Sequence, residues 1–310
     1  MKKTLLFAGI IFMAAALSAQ EQKEVVTGAG YYYDAYYSLE NGVQDTVPRN
    51  NWDIAFTTSS FSSSILANHS AGVELYTWPL GDINDWDNVY TTGMEWKPMY
   101  NSIDTWEEGA FGANALGHPD YGWGIYDMST HNLAGDSIFI IKTVGGTWKK
   151  FAIVERQSMA NNWSIKFDNL DGSDLQTMSF NASDAKEFNF INMNLASAQY
   201  FVREPNTSSW DLLFTKYYDY NIPYHVTGVL TNEKHVLVQE ISGADVDQET
   251  HMEYADTSFV SDISVIGSDW KKFDMGSMGY LLSDTTVFYL KTYVGEDSLY
   301  YNCLLYTSDA

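Results

Sequence analysis

Cysteine is almost absent from this chain. Cys303 stands alone among 310 residues, so an internal disulfide framework is excluded and cores and hydrogen-bonded sheets must hold the fold together. Basic residues are scarce: 17 Lys and Arg face 40 Asp and Glu, a net charge of −23. Such a balance repels nucleic-acid phosphates and anionic lipid surfaces; it favours solubility and leaves cation binding open. Proline is rare as well, with six residues and no proline-rich linker to divide the chain. Long apolar runs are missing except at the start. There Lys2 and Lys3 precede an apolar stretch from Thr4 to Leu17, and Ser18-Ala19-Gln20 offers small residues for cleavage. The stretch falls short of the ~20 residues that span a bilayer. It has the form of a secretory signal peptide over residues 1–20, with the mature chain expected to begin near Glu21 and to work outside the cytoplasm. No cysteine follows the run, which argues against a lipid-modified N-terminus. Removing Lys2 and Lys3 leaves 15 basic against 40 acidic residues, a net charge of −25.

Aromatic residues are abundant, with 22 Tyr, 16 Phe and 10 Trp. Such side chains suit pleated, half-buried surfaces, so the composition leans towards β structure. The most informative pattern is a phrase that occurs twice: Asn51-Trp52-Asp53-Ile54-Ala55-Phe56 and Ser209-Trp210-Asp211-Leu212-Leu213-Phe214. Its alternation has strand period. Trp52, Ile54 and Phe56 are expected on one face, with Asp53 and Ala55 on the other; Trp210, Leu212 and Phe214 repeat the arrangement. A second mark follows each copy, Phe139-Ile140-Ile141-Lys142-Thr143 and Phe288-Tyr289-Leu290-Lys291-Thr292. The period of about 150 residues is domain-sized, too long for a solenoid repeat.

The order of marks predicts an all-β chain of two tandem antiparallel β-sheet domains, 21–195 and 196–302, with few short helices. Further strands are expected at Tyr31 to Leu39, Ala71 to Trp78, Trp148 to Glu155, Trp163 to Phe167, Phe188 to Met193, Tyr224 to Thr231 and His235 to Ile241. Short helices are expected at Asp82 to Tyr90 and Val246 to Tyr254. The second copy ends without a counterpart of the first copy's last hairpin, so it reads as incomplete. Residues 303–310, Cys303 to Ala310, resemble the translation of an adapter used in sequencing libraries. On that reading they are an artefact and the natural chain continues differently after Asn302.

The Trp-Asp phrase, the strand Thr227-Gly228-Val229, the apolar strands ending Lys-Thr, and Asn68-His69-Ser70-Ala71-Gly72-Val73 together resemble the HmuY-like proteins. The resemblance spans most of the mature chain, once per unit. It implies antiparallel sheets with few helices. It also implies a secreted or cell-surface, non-enzymatic binding protein, with haem or a related porphyrin held between axial side chains in a cleft. Many members carry a C-terminal sorting domain for a dedicated secretion pathway. The chain departs from the lipid-anchored haemophores in lacking the attachment cysteine and in carrying two units. The resemblance assigns no ligating position here.

Haem needs His or Met aimed into an apolar slot. The candidates are His69, Met128, His131 and His225; His69 and His225 follow their Trp-Asp strands by 17 and 15 positions. For each histidine, including His118, His235 and His251, the ordinary reading is a loop or strand-surface residue. No Cys-x-x-Cys-His occurs, which excludes covalent haem attachment. No zinc spacing is present, so no metal site is assigned. Asp82, Asn84, Asp85 and Asp87, and Asp168, Asp171 and Asp174, are acidic clusters without EF-hand spacing, and turn chemistry explains them. Gly135-Asp136-Ser137 leads straight into a strand, and no nucleophile elbow or phosphate loop is present, so no residue is named as catalytic. The tyrosines of 31–33, 36–37 and 217–220 could form platforms for sugar rings or protein; tyrosine alternation more often buries one ring and exposes the next. The alternative to haem binding is therefore a structural, adhesion or glycan-binding module of a larger secreted protein. No nucleic-acid partner and no membrane insertion are expected. The Trp-Asp phrase is read as a core strand, with the site in the variable loops between the two marks.

Overall fold

The computed structural model describes residues 22–242, 258–277, 279–282, 286–294, 297–303 and 305. The expected signal segment, His251 and the expected helix at Val246 to Tyr254 lie outside the described residues. The chain is mostly β, in several antiparallel sheets. Among the described residues no helix is long and apolar enough to cross a membrane.

The strands run in chain order as β1 (Tyr33–Ser38), β2 (Gly42–Pro48), β3 (Ile54–Thr57), β4 (Ile65–Ala67), β5 (Glu74–Thr77), β6 (Gly124–Tyr126) and β7 (Asn132–Gly135). They continue as β8 (Phe139–Lys142), β9 (Trp148–Gln157), β10 (Asn162–Asn169), β11 (Gln176–Asn181), β12 (Phe190–Asn194) and β13 (Gln199–Phe201). The last are β14 (Leu212–Asp219), β15 (Tyr224–Thr231), β16 (Val236–Ser242), β17 (Lys271–Asp274), β18 (Gly279–Leu282), β19 (Thr286–Val294) and β20 (Asp297–Cys303). Between Asp82 and Tyr90 the helix is a 3-10 helix, Ile83–Asn88. Its acidic residues form a capping box in which Asp82 accepts from the Asn84 amide at 2.7 Å and Asp85 accepts from the Asp82 amide at 3.1 Å.

The two Trp-Asp strands sit in equivalent four-stranded sheets, β13-β12-β3-β4 and β15-β14-β1-β2. Hairpin β1–β2 directly precedes β3 in sequence yet pairs with β14, with Tyr37 opposite Leu212. Hairpin β12–β13 directly precedes β14 yet pairs with β3, with Met193 opposite Ile54. Each Trp-Asp strand is thus completed by the hairpin that leads into the other copy, and the pairing joins residues on both sides of position 195. A seven-stranded sheet, β11-β10-β9-β7-β6 with β8 on β9 and β5 on β8, lies after the first copy. The sheet β16-β19-β20 holds the corresponding place after the second.

Matching hydrogen bonds make the equivalence specific. Asn68 Nδ2 donates to the carbonyls of Arg49 and Trp52, both at 2.8 Å; Asn232 Nδ2 donates to those of Thr207 and Trp210 at 2.8 and 2.9 Å. Asp53 accepts the Leu195 amide at 2.7 Å, and Asp211 accepts the Leu39 amide at 2.7 Å. The Asp53 amide donates to Met193, as that of Asp211 does to Tyr37.

The expected face assignment of the tryptophans is overturned. Ile54 and Phe56 enter the main core with Leu75, Phe139, Phe151 and Trp163. Leu212 enters a second core with Val229, Val238, Phe288 and Leu290. Trp210 instead packs with Tyr36 and Leu213, away from Leu212. The reason is local: both strands begin after the Asp, and each Trp ends a 3-10 turn, Arg49–Asn51 or Thr207–Ser209, so strand alternation does not reach it. The large core side chains stabilise the sheets by about 1.5–3 kcal/mol each. The tyrosines also break the expected alternation: Tyr31, Tyr32 and Tyr33 are all exposed, while Tyr36 and Tyr37 are both buried.

Asn68→Ala and Asn232→Ala each strand two carbonyls and are expected to lower the free energy of unfolding by about 2–3 kcal/mol. Asn41→Ala, at an exposed turn, is expected to change it by less than ~0.5 kcal/mol. Denaturant titration checks this; a loss at one asparagine and none at the other contradicts the equivalence of the two copies.

Candidate functional site

A cavity of about 120 Å³ lies where the two Trp-Asp sheets meet. Its walls come from both copies: Trp52, Ala55 and Leu66 from the first, Trp210, Leu213 and Leu230 from the second. The exchanged hairpins contribute Tyr36 and Asn192, and the loop after β5 contributes Trp106. Both tryptophans of the repeated phrase therefore border the cavity, while Ile54, Phe56, Leu212 and Trp210 lie in buried cores. Asn101 to Ile103 and Trp106, from the loop after β5, also line it.

A buried ion cluster closes one side. Arg203 Nη2 meets Asp34 Oδ2 at 2.8 Å, and Arg49 Nε meets Asp34 Oδ1 at 3.4 Å. Thr215 donates to Asp34 Oδ1 at 2.6 Å, and Arg203 Nη1 donates to the Tyr36 hydroxyl at 3.1 Å. Burial pushes the Tyr36 phenol well above its ordinary range. Next along the chain, Glu204 accepts the backbone amides of Asn189 and Phe190, both at 2.7 Å, and Asn189 Nδ2 at 3.1 Å. Burial pushes its carboxyl up to about 7, although those three hydrogen bonds work in the other direction.

Of the four sequence candidates, the fold brings two together. Asn68 opens a short 3-10 turn, His69–Ala71, that ends at Gly72 with φ of 91°, a left-handed conformation that favours glycine. This turn buries His69 on the cavity wall. His69 Nδ1 donates to the Val73 carbonyl at 3.0 Å, and burial lowers the imidazole to about 4, so it is neutral near pH 7. The neutral ring, with its proton on Nδ1, leaves Nε2 as an acceptor, and that atom has no protein partner. His225, on β15, donates from Nε2 to the His69 carbonyl at 2.7 Å. Two tyrosines complete the group: Tyr100 lies 5.1 Å from the His69 ring, stacks on Tyr218 at 4.1 Å, and Tyr218 meets His225 edge-on at 5.3 Å.

Met128 and His131 lie apart from this group. Met128 is exposed in the turn between β6 and β7, and His131 Nδ1 pairs with the Tyr126 hydroxyl at 2.7 Å, near His118. Sequence reasoning missed Asn192, Arg203 and Glu204. The adjacent charges Arg203-Glu204 after the Tyr-Phe-Val run were the available signal, but their partners lie more than ten residues away in sequence and most are far more distant.

Among the described residues no group of three or more His, Cys, Asp or Glu could hold a metal ion. Asp168 pairs with Lys150 at 3.9 Å and accepts the Asp174 amide at 2.8 Å, while Asp174 pairs with Lys149 at 3.1 Å. The Ser137 hydroxyl lies 2.8 Å from Asp136 Oδ1 and 3.3 Å from the Gly122 carbonyl, with no imidazole beside it. No family model, curated protein or solved structure matches the chain.

The His69 imidazole binds a proton less readily in the folded chain than in the unfolded one. Its contribution to stability is therefore complete above pH ~6.5 and is lost as pH falls through about 4. Wild type is expected to lose on the order of 3 kcal/mol relative to His69→Gln between those limits. Urea unfolding of both proteins at pH 7 and pH 4 checks it; parallel pH profiles contradict the assignment.

Proposed function

We propose that the chain is a non-enzymatic binding protein, acting outside the cell or at its surface, that holds its ligand in the cavity between the two Trp-Asp sheets. The observation that carries this reading is the cavity itself: aromatic and aliphatic side chains of both copies line it together with convergent polar and ionisable groups such as His69, Asn192, Arg203 and Glu204, the kind of lining that small-molecule sites use. In this reading residues 21–195 and 196–302 are two HmuY-like units behind an N-terminal secretion signal, and the exchanged hairpins bind them to each other.

Haem is the ligand that the HmuY-like resemblance implies, and the residues meet its needs in part. A haem-ligating imidazole presents one nitrogen to iron while a backbone carbonyl or carboxylate fixes the other. His69 has that form, with Nδ1 held by Val73 and Nε2 unmatched. The volume does not fit. About 120 Å³ falls below the ~300–1,000 Å³ of pockets that take drug-sized ligands.

The second reading, a glycan-binding or adhesion module, draws on a surface cluster outside the cavity lining. Tyr76, Trp96 and Trp148 pack at 5.0 to 6.1 Å beside the ion pair of Lys142 with Glu74 at 2.7 Å, and Trp96 is exposed.

Hemin titration followed by absorbance separates the two readings. The haem reading expects a Soret shift that His69→Ala abolishes and His131→Ala leaves in place. No shift with the wild type removes haem. Glycan-array binding that survives replacement of every histidine then supports the second reading.

A further inference from the structure

Hydrogen-bonding groups of both kinds are left unmatched around the junction cavity. The indole Nε1 atoms of Trp52 and Trp210 can only donate. His69 Nε2, on a ring whose Nδ1 proton is committed to Val73, can only accept. Asn189 Oδ1 is an acceptor whose amide orientation is fixed by the bond from Nδ2 to Glu204, and Asn192 Oδ1 is a further acceptor. All five atoms are buried without a protein partner, and all five residues line the same cavity. Of the thirteen buried side-chain atoms without a protein partner among the described residues, these five gather at one cavity, where a ligand or water can reach them.

The kinds of unmatched atom select the ligand. An anion would satisfy the two indoles and oppose three acceptors. An ammonium group would satisfy the acceptors and face two N–H groups and the Arg203 guanidinium. A hydroxyl both donates and accepts, so a ring bearing several of them matches both sets at once. Trp52, Trp106, Trp210 and Tyr36 supply aromatic surface for the C–H faces of such a ring. The size suits a small ligand: about 120 Å³ lies below the ~300–1,000 Å³ of pockets that take drug-sized molecules.

We propose that the junction cavity binds a single neutral sugar ring, a hexose or its N-acetyl derivative, through Trp52, Trp210, His69, Asn189 and Asn192. This assignment rests on the binding-protein reading above and names the ligand class of the same cavity. The ring is either a free monosaccharide or the terminal residue of a glycan.

Glucose, galactose, mannose and N-acetylglucosamine, each as the free sugar and as the end of an oligosaccharide, are titrated against the full chain by calorimetry and tryptophan fluorescence. Hemin is titrated in parallel. At least one sugar is expected to bind saturably and to change the fluorescence. Binding of the free sugar assigns the first source; binding of the oligosaccharide alone assigns the second. Asn192→Leu, which removes an unmatched acceptor with little change in size, is expected to weaken that sugar about tenfold while raising the melting temperature. A purely structural asparagine would give a lower melting temperature and unchanged affinity. Met159→Ala, exposed in the turn between β9 and β10, is expected to leave sugar affinity unchanged. Hemin binding with no response to any sugar overturns the sugar assignment and leaves the junction site standing. Sugar binding that Asn192→Leu does not weaken also overturns it, by placing the sugar elsewhere. No response to any sugar or to hemin counts against both readings.

Discussion

The rest of the structure depends on a buried carboxylate at the head of each Trp-Asp strand. Asp53 accepts the amides of Val144 and Leu195, both at 2.7 Å, and so fastens the end of β8 and the end of β12 to the same strand. Asp211 accepts the amide of Leu39 and fastens the end of β1 to β14. Burial raises both carboxyls above their ordinary range, while the backbone hydrogen bonds favour the charged form. Hydrogen bonds to an ionised group contribute about 1.5–3 kcal/mol each, enough to set which hairpin joins which strand. The neighbouring asparagines, Asn68 and Asn232, hold the 3-10 turns that precede those strands and fix where each strand begins.

The cavity follows from this exchange. Since each hairpin crosses to the other copy, Tyr36 of β1 faces Leu213 and Trp210, and Asn192 of β12 comes to lie with the wall of the first copy. The linker after β13 then carries Arg203 back to Asp34, and a buried ion pair forms between segments 169 residues apart. An ion pair enclosed in this way adds little net stability by itself, because desolvation offsets the attraction. Here it has five further partners in Arg49, Thr215, Tyr36, Asn51 Oδ1 and the Pro48 carbonyl, which fix its geometry.

Much of the fold was legible in the sequence. Aromatic and β-branched alternation located β9, β10, β15 and β16 within one or two residues at most ends, since these strands alternate buried and exposed positions or run through a core. The recurrence of Trp-Asp identified two equivalent strands. Pairing was not legible: nothing local tells β1 to leave β3 and join β14, since the decisive contact is a side chain 172 residues away from the Leu39 amide. The site was legible only in part. His69 and His225 could be singled out as histidines after the two strands, but their approach depends on the same exchange. Met128 and His131 had equal claims from spacing and fell elsewhere. Trp52 and Trp210 were misassigned because the strand period was extended back across an Asp that precedes the strand.

Hydrogen exchange measured strand by strand under native conditions tests the exchange of hairpins most directly. Reciprocal pairing makes β1, β3, β12 and β14 one cooperative unit, so their amides should open with a common free energy, equal to that of global unfolding. Two separate classes, one of β1 with β3 and the other of β12 with β14, would contradict it.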